Sequence, residues 1–353
     1  MSKSVFLWFG ILFFFILSIL FFNFEGMGIG FDHDPSYMWA TSYFAFDDNQ
    51  IGSVPIFTYG PLGFLIIPTV YSYSILSSFI FEAYCNLSLF FFLNKFLNKK
   101  TLFSNLFIYI ITFGSILFFP IDHRIMLLCY LVALDTYKNL KIVKSFHLFT
   151  LLFVLVFIKS MYLFLILSLL PIWLYLFYRK RNRFLLIVAP VASFLLLALL
   201  VRIIFNYSLT DLYNMLRGYF EFSMANSSAM TQADGKSIKW IYFFSYIILT
   251  SLLWLSFKKK TVYPFFFPSF LIGNFIYFKY AMARSDHAWV FIYLAVIFYI
   301  LFFIYSFNSL KTKNISHISY LISHISYLIS HISYLLRFFT FTFFQLRAGF
   351  IGM

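Results

Sequence analysis

Ten apolar runs separated by short basic clusters dominate this chain, near residues 5–22, 64–93, 102–119, 125–137, 146–158, 160–177, 184–205, 240–257, 261–279 and 288–307. Several approach the roughly 20 residues a helix needs to cross a bilayer. Charged residues make up only 11% of the 353, apolar residues 62%, and the mean hydropathy is +0.89. A soluble domain carries about 25% charged residues. A chain this apolar cannot hide its surface from water, so lipid is the expected solvent. The expected fold class is all-α: a polytopic transmembrane helix bundle of about 10–11 spans, by the length rule for spanning helices.

The net charge of +14 does not point to nucleic acid. The basic residues sit in clusters: Lys95, Lys99 and Lys100; Lys138, Lys141 and Lys144; Arg179, Lys180, Arg181 and Arg183; Lys258 to Lys260; Lys311 and Lys313. With the N-terminus and Lys3 inside, ten spans put all five clusters in the cytoplasm, as the positive-inside rule expects. This requires the stretch 146–177 to be a hairpin turning near Lys159, because both of its flanks are basic. The run from Val5 to Phe22 lacks a small-residue cleavage site after it and reads as an uncleaved first span. The aromatic content of 25%, with 55 Phe, reads as a codon bias toward A and T. Cys85 and Cys129 lie in apolar runs at no metal or redox spacing and are expected to pack.

On this topology residues 1–308 form a multi-span domain with outer loops 23–60 and 206–239. Most acidic residues fall on the outer face. Loop 23–60 holds Glu25, Asp32, Asp34, Asp47 and Asp48 and no Lys or Arg. Orientation depends little on Asp and Glu, so their gathering calls for another explanation.

Residues 309–353 form a tail that starts in the cytoplasm. Within it Ile315 to Leu335 is three perfect copies of Ile-Ser-His-Ile-Ser-Tyr-Leu. One seven-base word, ATATCTC, read three times encodes this heptapeptide, because a seven-base repeat cycles through all three frames. Slippage by one unit would shift the frame, the mark of phase variation in a bacterial gene, and such genes often build surface glycans. The residues after Leu335 are then an out-of-frame tail, compatible with an eleventh helix from about Ile318 to Phe344.

Four constellations could carry chemistry. Asp32 and Asp34 flank His33, and such a pair can present a general base or hold a divalent cation, Mg or Mn. Asp34 before Pro35 also reads as a helix cap, which leaves Asp32 the stronger catalytic candidate. Tyr59-Gly60-Pro61-Leu62-Gly63 is turn chemistry leading into a helix. As a site, that turn would offer backbone donors and Tyr59 to a lipid phosphate. Lys279, with Arg284, Asp286 and His287, sets two cations on the outer face, where a phosphate headgroup would suit them. The plainer account is an Arg284–Asp286 surface pair and a snorkelling Lys279. Lys159 lies between apolar runs, either a functional charge at membrane depth or a hairpin tip in water. Asp122-His123-Arg124 forms a similar outward tip that would complete the site, with Arg124 as a substrate contact.

The order of first helix, Asp-x-Asp in the first outer loop and Pro-Leu turn at the second span resembles the GT-C glycosyltransferases. These include the protein O-mannosyltransferases and the bacterial aminoarabinose transferases. Asp32 and Asp34 stand at the position of their acidic motif, and the likeness covers roughly residues 1–95. The chain departs from them in having Tyr59-Gly60-Pro61-Leu62-Gly63 where His or Lys followed by Pro-Pro-Leu is usual. The resemblance implies an inverting sugar transfer at the periplasmic face of the bacterial inner membrane. The donor would be a polyprenyl-phosphate-linked sugar, and the acceptor a glycan, lipid or protein. An Asp would be the general base, and Lys279 and Arg284 would hold the leaving phosphate. The competing readings are a polysaccharide polymerase or ligase, which favours large Arg-rich outer loops, and a transporter or flippase, which favours polar groups at mid-membrane.

Overall fold

A computed structural model describes residues 3–22, 60–67, 72–97, 102–118, 121–138, 140–160, 162–179, 183–205, 208–229, 247, 250–251, 268–273 and 275. All belong to the unit Met1–Tyr305; the unit Ser306–Met353, with the heptapeptide tail, lies outside the described residues. Eight helices succeed one another in this part of the chain: α1 (Lys3–Leu20), α2 (Ser72–Leu97), α3 (Leu102–Phe118), α4 (Ile121–Lys138), α5 (Ile142–Ile158), α6 (Tyr162–Arg179), α7 (Arg183–Phe205) and α8 (Leu209–Ala229). A short 3₁₀ turn, Gly63–Leu65, precedes α2. No strand occurs among the described residues.

Among the described residues two helices are long and apolar enough to cross a membrane: Tyr73–Phe96 within α2 and Arg183–Ile204 within α7. Val5–Leu20, Ile108–Leu117, Ile142–Ile158 and Tyr162–Tyr178 are shorter apolar helices.

The chain's first seven apolar runs become α1 to α7, and basic residues separate several of them. Helix α4 sits at the centre, buried continuously from His123 to Thr136, and packs on α2, α5 and α6. Helices α1 and α3 pack on α2, and α7 packs on α5. Gly10 leaves room for the Phe90 ring, and Phe6, Phe14 and Phe90 close around Tyr109 of α3.

Polarity is inverted on α2. Ser74, Ser78, Glu82 and Asn86 recur every four residues, share one face and are all buried. Tyr73, Leu76, Ile80 and Phe91 point outward. Helices α1 and α7 likewise present large apolar side chains to the outside, among them Trp8, Leu12, Ile187, Val191, Leu195 and Ile203.

Two prolines interrupt the hydrogen-bond ladders, Pro171 in α6 and Pro190 in α7. Proline has no N–H, so Pro190 frees the carbonyl four residues back, that of Leu186. The Trp173 indole of α6 donates to that carbonyl at 3.2 Å, mending the break with a tertiary contact.

The expected hairpin is present. Helix α5 ends at Ile158, Lys159 is extended, and α6 starts at Tyr162. Segment 206–239, expected as a loop, contains α8. The reason is local: Ser208 and Asp211 form a reciprocal cap. The Ser208 hydroxyl accepts from the Asp211 N–H at 3.1 Å, and the Asp211 carboxylate accepts from the Ser208 N–H at 2.8 Å. Leu212 and Tyr219 then turn inward, and Leu212 joins Phe64, Phe157, Leu197 and Val201 in an apolar cluster.

Candidate functional site

Helix α4 carries a carboxylate near each end, and each one gathers neighbours. At its last turn Asp135 accepts from Lys95 of α2 at 2.6 Å and Lys144 of α5 at 2.8 Å. At its first turn Asp122 pairs with Lys159 at 3.2 Å and accepts a hydrogen bond from the Tyr162 hydroxyl. The two carboxylates are 13 residues apart, or about 20 Å along a helix axis. The two ends of the assembly therefore differ in composition and in the helices they join.

The Asp122 end is the candidate site. The last turn of any helix leaves carbonyls without partners. In α5 the Leu155 carbonyl accepts from the Lys159 N–H at 3.0 Å, and the last three find partners from elsewhere in the chain. Gly60 N–H donates to the Ile158 carbonyl at 2.9 Å and Leu62 N–H to that of Phe157 at 3.0 Å. The Tyr219 hydroxyl of α8 donates to that of Val156 at 3.2 Å. Burial pushes the Tyr219 hydroxyl well above its ordinary range, so it stays a donor at any working pH. A Cβ on Gly60 would collide with the Phe157 carbonyl and the Tyr219 hydroxyl, so the turn needs glycine there.

Of the two readings of this stretch, the structure shows the turn leading into a helix, and its backbone donors are already used. The N–H groups of Gly60 and Leu62 are committed to α5, and Pro61 has none. The turn is instead bound to the end of α5, with Gly60 on the carbonyl of Ile158, the residue before Lys159.

Burial raises the pKa of the Asp122 carboxyl, but the Lys159 ammonium and the Tyr162 hydroxyl outweigh it, so the group lies below its usual value. It is an ionised carboxylate with both oxygens engaged, a poor general base but a firm anchor for the ammonium. Lys159 is not a tip in open water: its side chain is only 13% exposed. Its charge is held by Asp122 at the first turn of α4.

The expected outward tip at 122–124 is the first turn of α4, with His123 and Arg124 buried. Arg124 turns into the assembly instead of facing a substrate at the surface. It donates to Glu82 at 2.7 Å and to Asn86 at 2.8 Å, both on the polar face of α2. Asn86 passes the chain on to Ser18 of α1 at 2.9 Å. Arg124 Nε has no partner among the described residues. Sequence reasoning missed Glu82, although a lone Glu inside a long apolar run was the available signal.

Two of the expected site residues are thus located: Lys159 touches Asp122, and Arg124 stands one residue beyond its neighbour His123 and points away from it into the interior. Asp32, Asp34, Tyr59, Lys279, Arg284, Asp286 and His287 lie outside the described residues. Among the described residues no three of His, Cys, Asp and Glu converge as metal ligands would. Comparison with known proteins gives no match: no family model fits the chain, and no curated protein or solved structure resembles it significantly.

Proposed function

We propose that this chain is a polytopic glycosyltransferase of the bacterial inner membrane, with its N-terminus cytoplasmic and its active face periplasmic. It would move a sugar from a polyprenyl-phosphate donor to an outer-face acceptor in surface glycan assembly. The observation that carries this reading is the polarity of α4. Asp135 draws in Lys95 and Lys144, members of two basic clusters that the positive-inside rule assigns to the cytoplasm. Asp122 draws in Lys159 and Tyr162 at the opposite end, where the Gly60 turn bonds the last turn of α5. A polar, partly buried rim is what a transfer site at a membrane surface needs, and in this reading Asp32 and Asp34 act beside it. The inverted polarity of α2 and the outward apolar faces of α1 and α7 support a lipid surround.

In this reading Asp32 is the general base, Asp34 its neighbour or the cap of the next helix, and Lys159 one of the cations facing the donor phosphate. Lys279 and Arg284 would add to that charge. The resemblance to GT-C enzymes supplies the reaction type; the bound cation it allows would be held by Asp32 and Asp34.

One finding favours a second reading, that of a transporter or flippase. The Glu82–Arg124 pair is buried between helices, and ionisable groups placed there often mark a path for a substrate or proton.

A glycan comparison separates the two. The chain is expressed in a null strain beside an Asp32→Ala, Asp34→Ala double variant at matched membrane abundance, and surface glycans are profiled by mass spectrometry. Transfer predicts a sugar increment that the wild type adds and the variant lacks. Matching profiles, with glycans still altered by deletion of the gene, would remove the transferase reading and favour transport.

A further inference from the structure

Helices α4 to α7 enclose a cavity of about 200 Å³, walled by Ala133, Leu152, Leu169, Ile172, Trp173 and Pro190 among others. The polar side chains in its lining are Thr136 and Trp173, and both are already engaged. The Thr136 hydroxyl donates to the Val132 carbonyl at 2.9 Å, and the Trp173 indole to that of Leu186. A water needs two or more polar partners to settle in such a space. An apolar cavity of about 150 Å³ stays dry and takes benzene. This one is suited to a hydrocarbon.

Its position narrows the guest. Leu170 lines it and is 39% exposed, so it opens beside the outward apolar face of α6 that Leu167 and Leu174 continue. The cavity also runs toward the Asp135 end. Its lining residue Leu148 is one turn from Lys144, and Leu186 is one turn from Arg183. Asp135 is held by Lys95 and Lys144. Lys141 and Arg183 are exposed there, and no carboxylate among the described residues pairs with them. The N-termini of α5 and α7 lie at this end too and add positive potential.

We infer that the α4–α7 cavity holds a segment of one acyl chain of an anionic diacyl phospholipid of the cytoplasmic leaflet, with its headgroup phosphate on Lys141 and Arg183. The site is separate from the sugar-transfer site and lies at the opposite end of α4. The inference rests on α6 and α7 spanning the bilayer and is independent of sugar transfer.

The test uses the full chain reconstituted in vesicles that contain phosphatidylglycerol with a photoactivatable diazirine on one acyl chain. Parallel vesicles carry the same group on phosphatidylcholine. Peptide mapping by mass spectrometry is expected to place the phosphatidylglycerol label on cavity residues of α5, α6 and α7, with weak labelling by phosphatidylcholine. Ala133→Leu fills the cavity and is expected to abolish the label. Because a core change can disturb folding, a second variant acts only on exposed positions: Lys141→Gln with Arg183→Gln lowers phosphatidylglycerol labelling roughly fivefold per charge removed. Equal labelling by the two lipids overturns the inference, as does label placed away from the cavity or label unchanged in both variants. Carbonate washing of native membranes keeps the failures apart. A chain released by the wash ends the membrane reading itself, whereas a retained chain without cavity label ends only this inference.

Discussion

At the scale of single residues, the charges in the first turn of α4 divide into an interior pair and a rim pair, and the two should respond differently. Arg124 and Glu82 are buried together, so removing one strands the other. Breaking such a pair costs about 3–5 kcal/mol, whereas replacing both partners by apolar groups is often close to neutral. Arg124→Met is therefore expected to lower thermal stability in detergent strongly, and adding Glu82→Leu to restore most of it. A single variant that unfolds no earlier than wild type would show that the buried pair does not hold the fold. Asp122 is the rim case. Its folded pKa lies below the unfolded value of about 3.9. The stabilisation is thus fully present above that value and lost as pH falls through the lower, folded pKa. Asp122→Asn should lower the unfolding temperature at pH 7, and the gap from wild type should close only in acid below the ordinary carboxylate range. A gap that closes between about pH 5 and 7, far above that range, would show that a different group holds Lys159.

At the scale of helices, the sequence makes legible whatever composition and local chemistry determine. The apolar runs locate α1 to α7, and the basic flanks of 146–177 locate the break at Lys159, because two apolar helices of that length cannot be told from one tilted helix except by where the charge sits. Helix α8 is equally legible in principle, since Ser208-Leu209-Thr210-Asp211 is a capping-box pattern ahead of Leu212, Met215, Leu216 and Tyr219. Its segment is too polar for a span, which hides it from a search for apolar runs. Three features are not legible. The Gly60 turn facing α5, the Arg124 side chain facing α2 and the Trp173 indole mending Pro190 all join groups more than ten residues apart, so only packing decides them. The last of these gives a test. Trp173→Phe keeps an aromatic ring but leaves the Leu186 carbonyl without its donor, and a buried group so stranded costs about 1–3 kcal/mol. Pro190→Ala supplies an N–H at the usual ladder position. The Trp173→Phe variant is expected to lose stability in the wild-type background and to lose much less in the Pro190→Ala background. Equal losses in both would assign the effect to ring packing alone.

At the scale of the whole molecule, the decisive question is whether the two ends of α4 face opposite sides of a membrane. Two features motivate the proposal of that arrangement. One is the spacing of basic clusters along the chain, which concerns insertion and knows nothing of packing. The other is the pairing of Asp135 with Lys95 and Lys144 and of Asp122 with Lys159, which concerns packing and knows nothing of insertion. The pairings bring the ends of α2, α4 and α5 that carry Lys95, Asp135 and Lys144 together and set the α5–α6 turn at the other end of α4; the proposal assigns these two ends to opposite sides. The natural cysteines favour a thiol-labelling test, since Cys85 and Cys129 are both buried and should contribute little background. Single cysteines are introduced at Lys141 and Arg183 on one side and at Ser160 and Ser208 on the other, and a membrane-impermeant maleimide is applied to spheroplasts. Ser160→Cys and Ser208→Cys are expected to label on intact spheroplasts, and Lys141→Cys and Arg183→Cys only after permeabilisation. The reverse pattern would put loop 23–59 and its carboxylates in the cytoplasm, where a lipid-linked donor displayed on the outer face is out of reach, and sugar transfer at that face would fall with it. Labelling of all four positions on intact spheroplasts would mean that α5, α6 and α7 do not span, and the apolar faces of α1 and α7 would then have to be covered by protein instead of lipid.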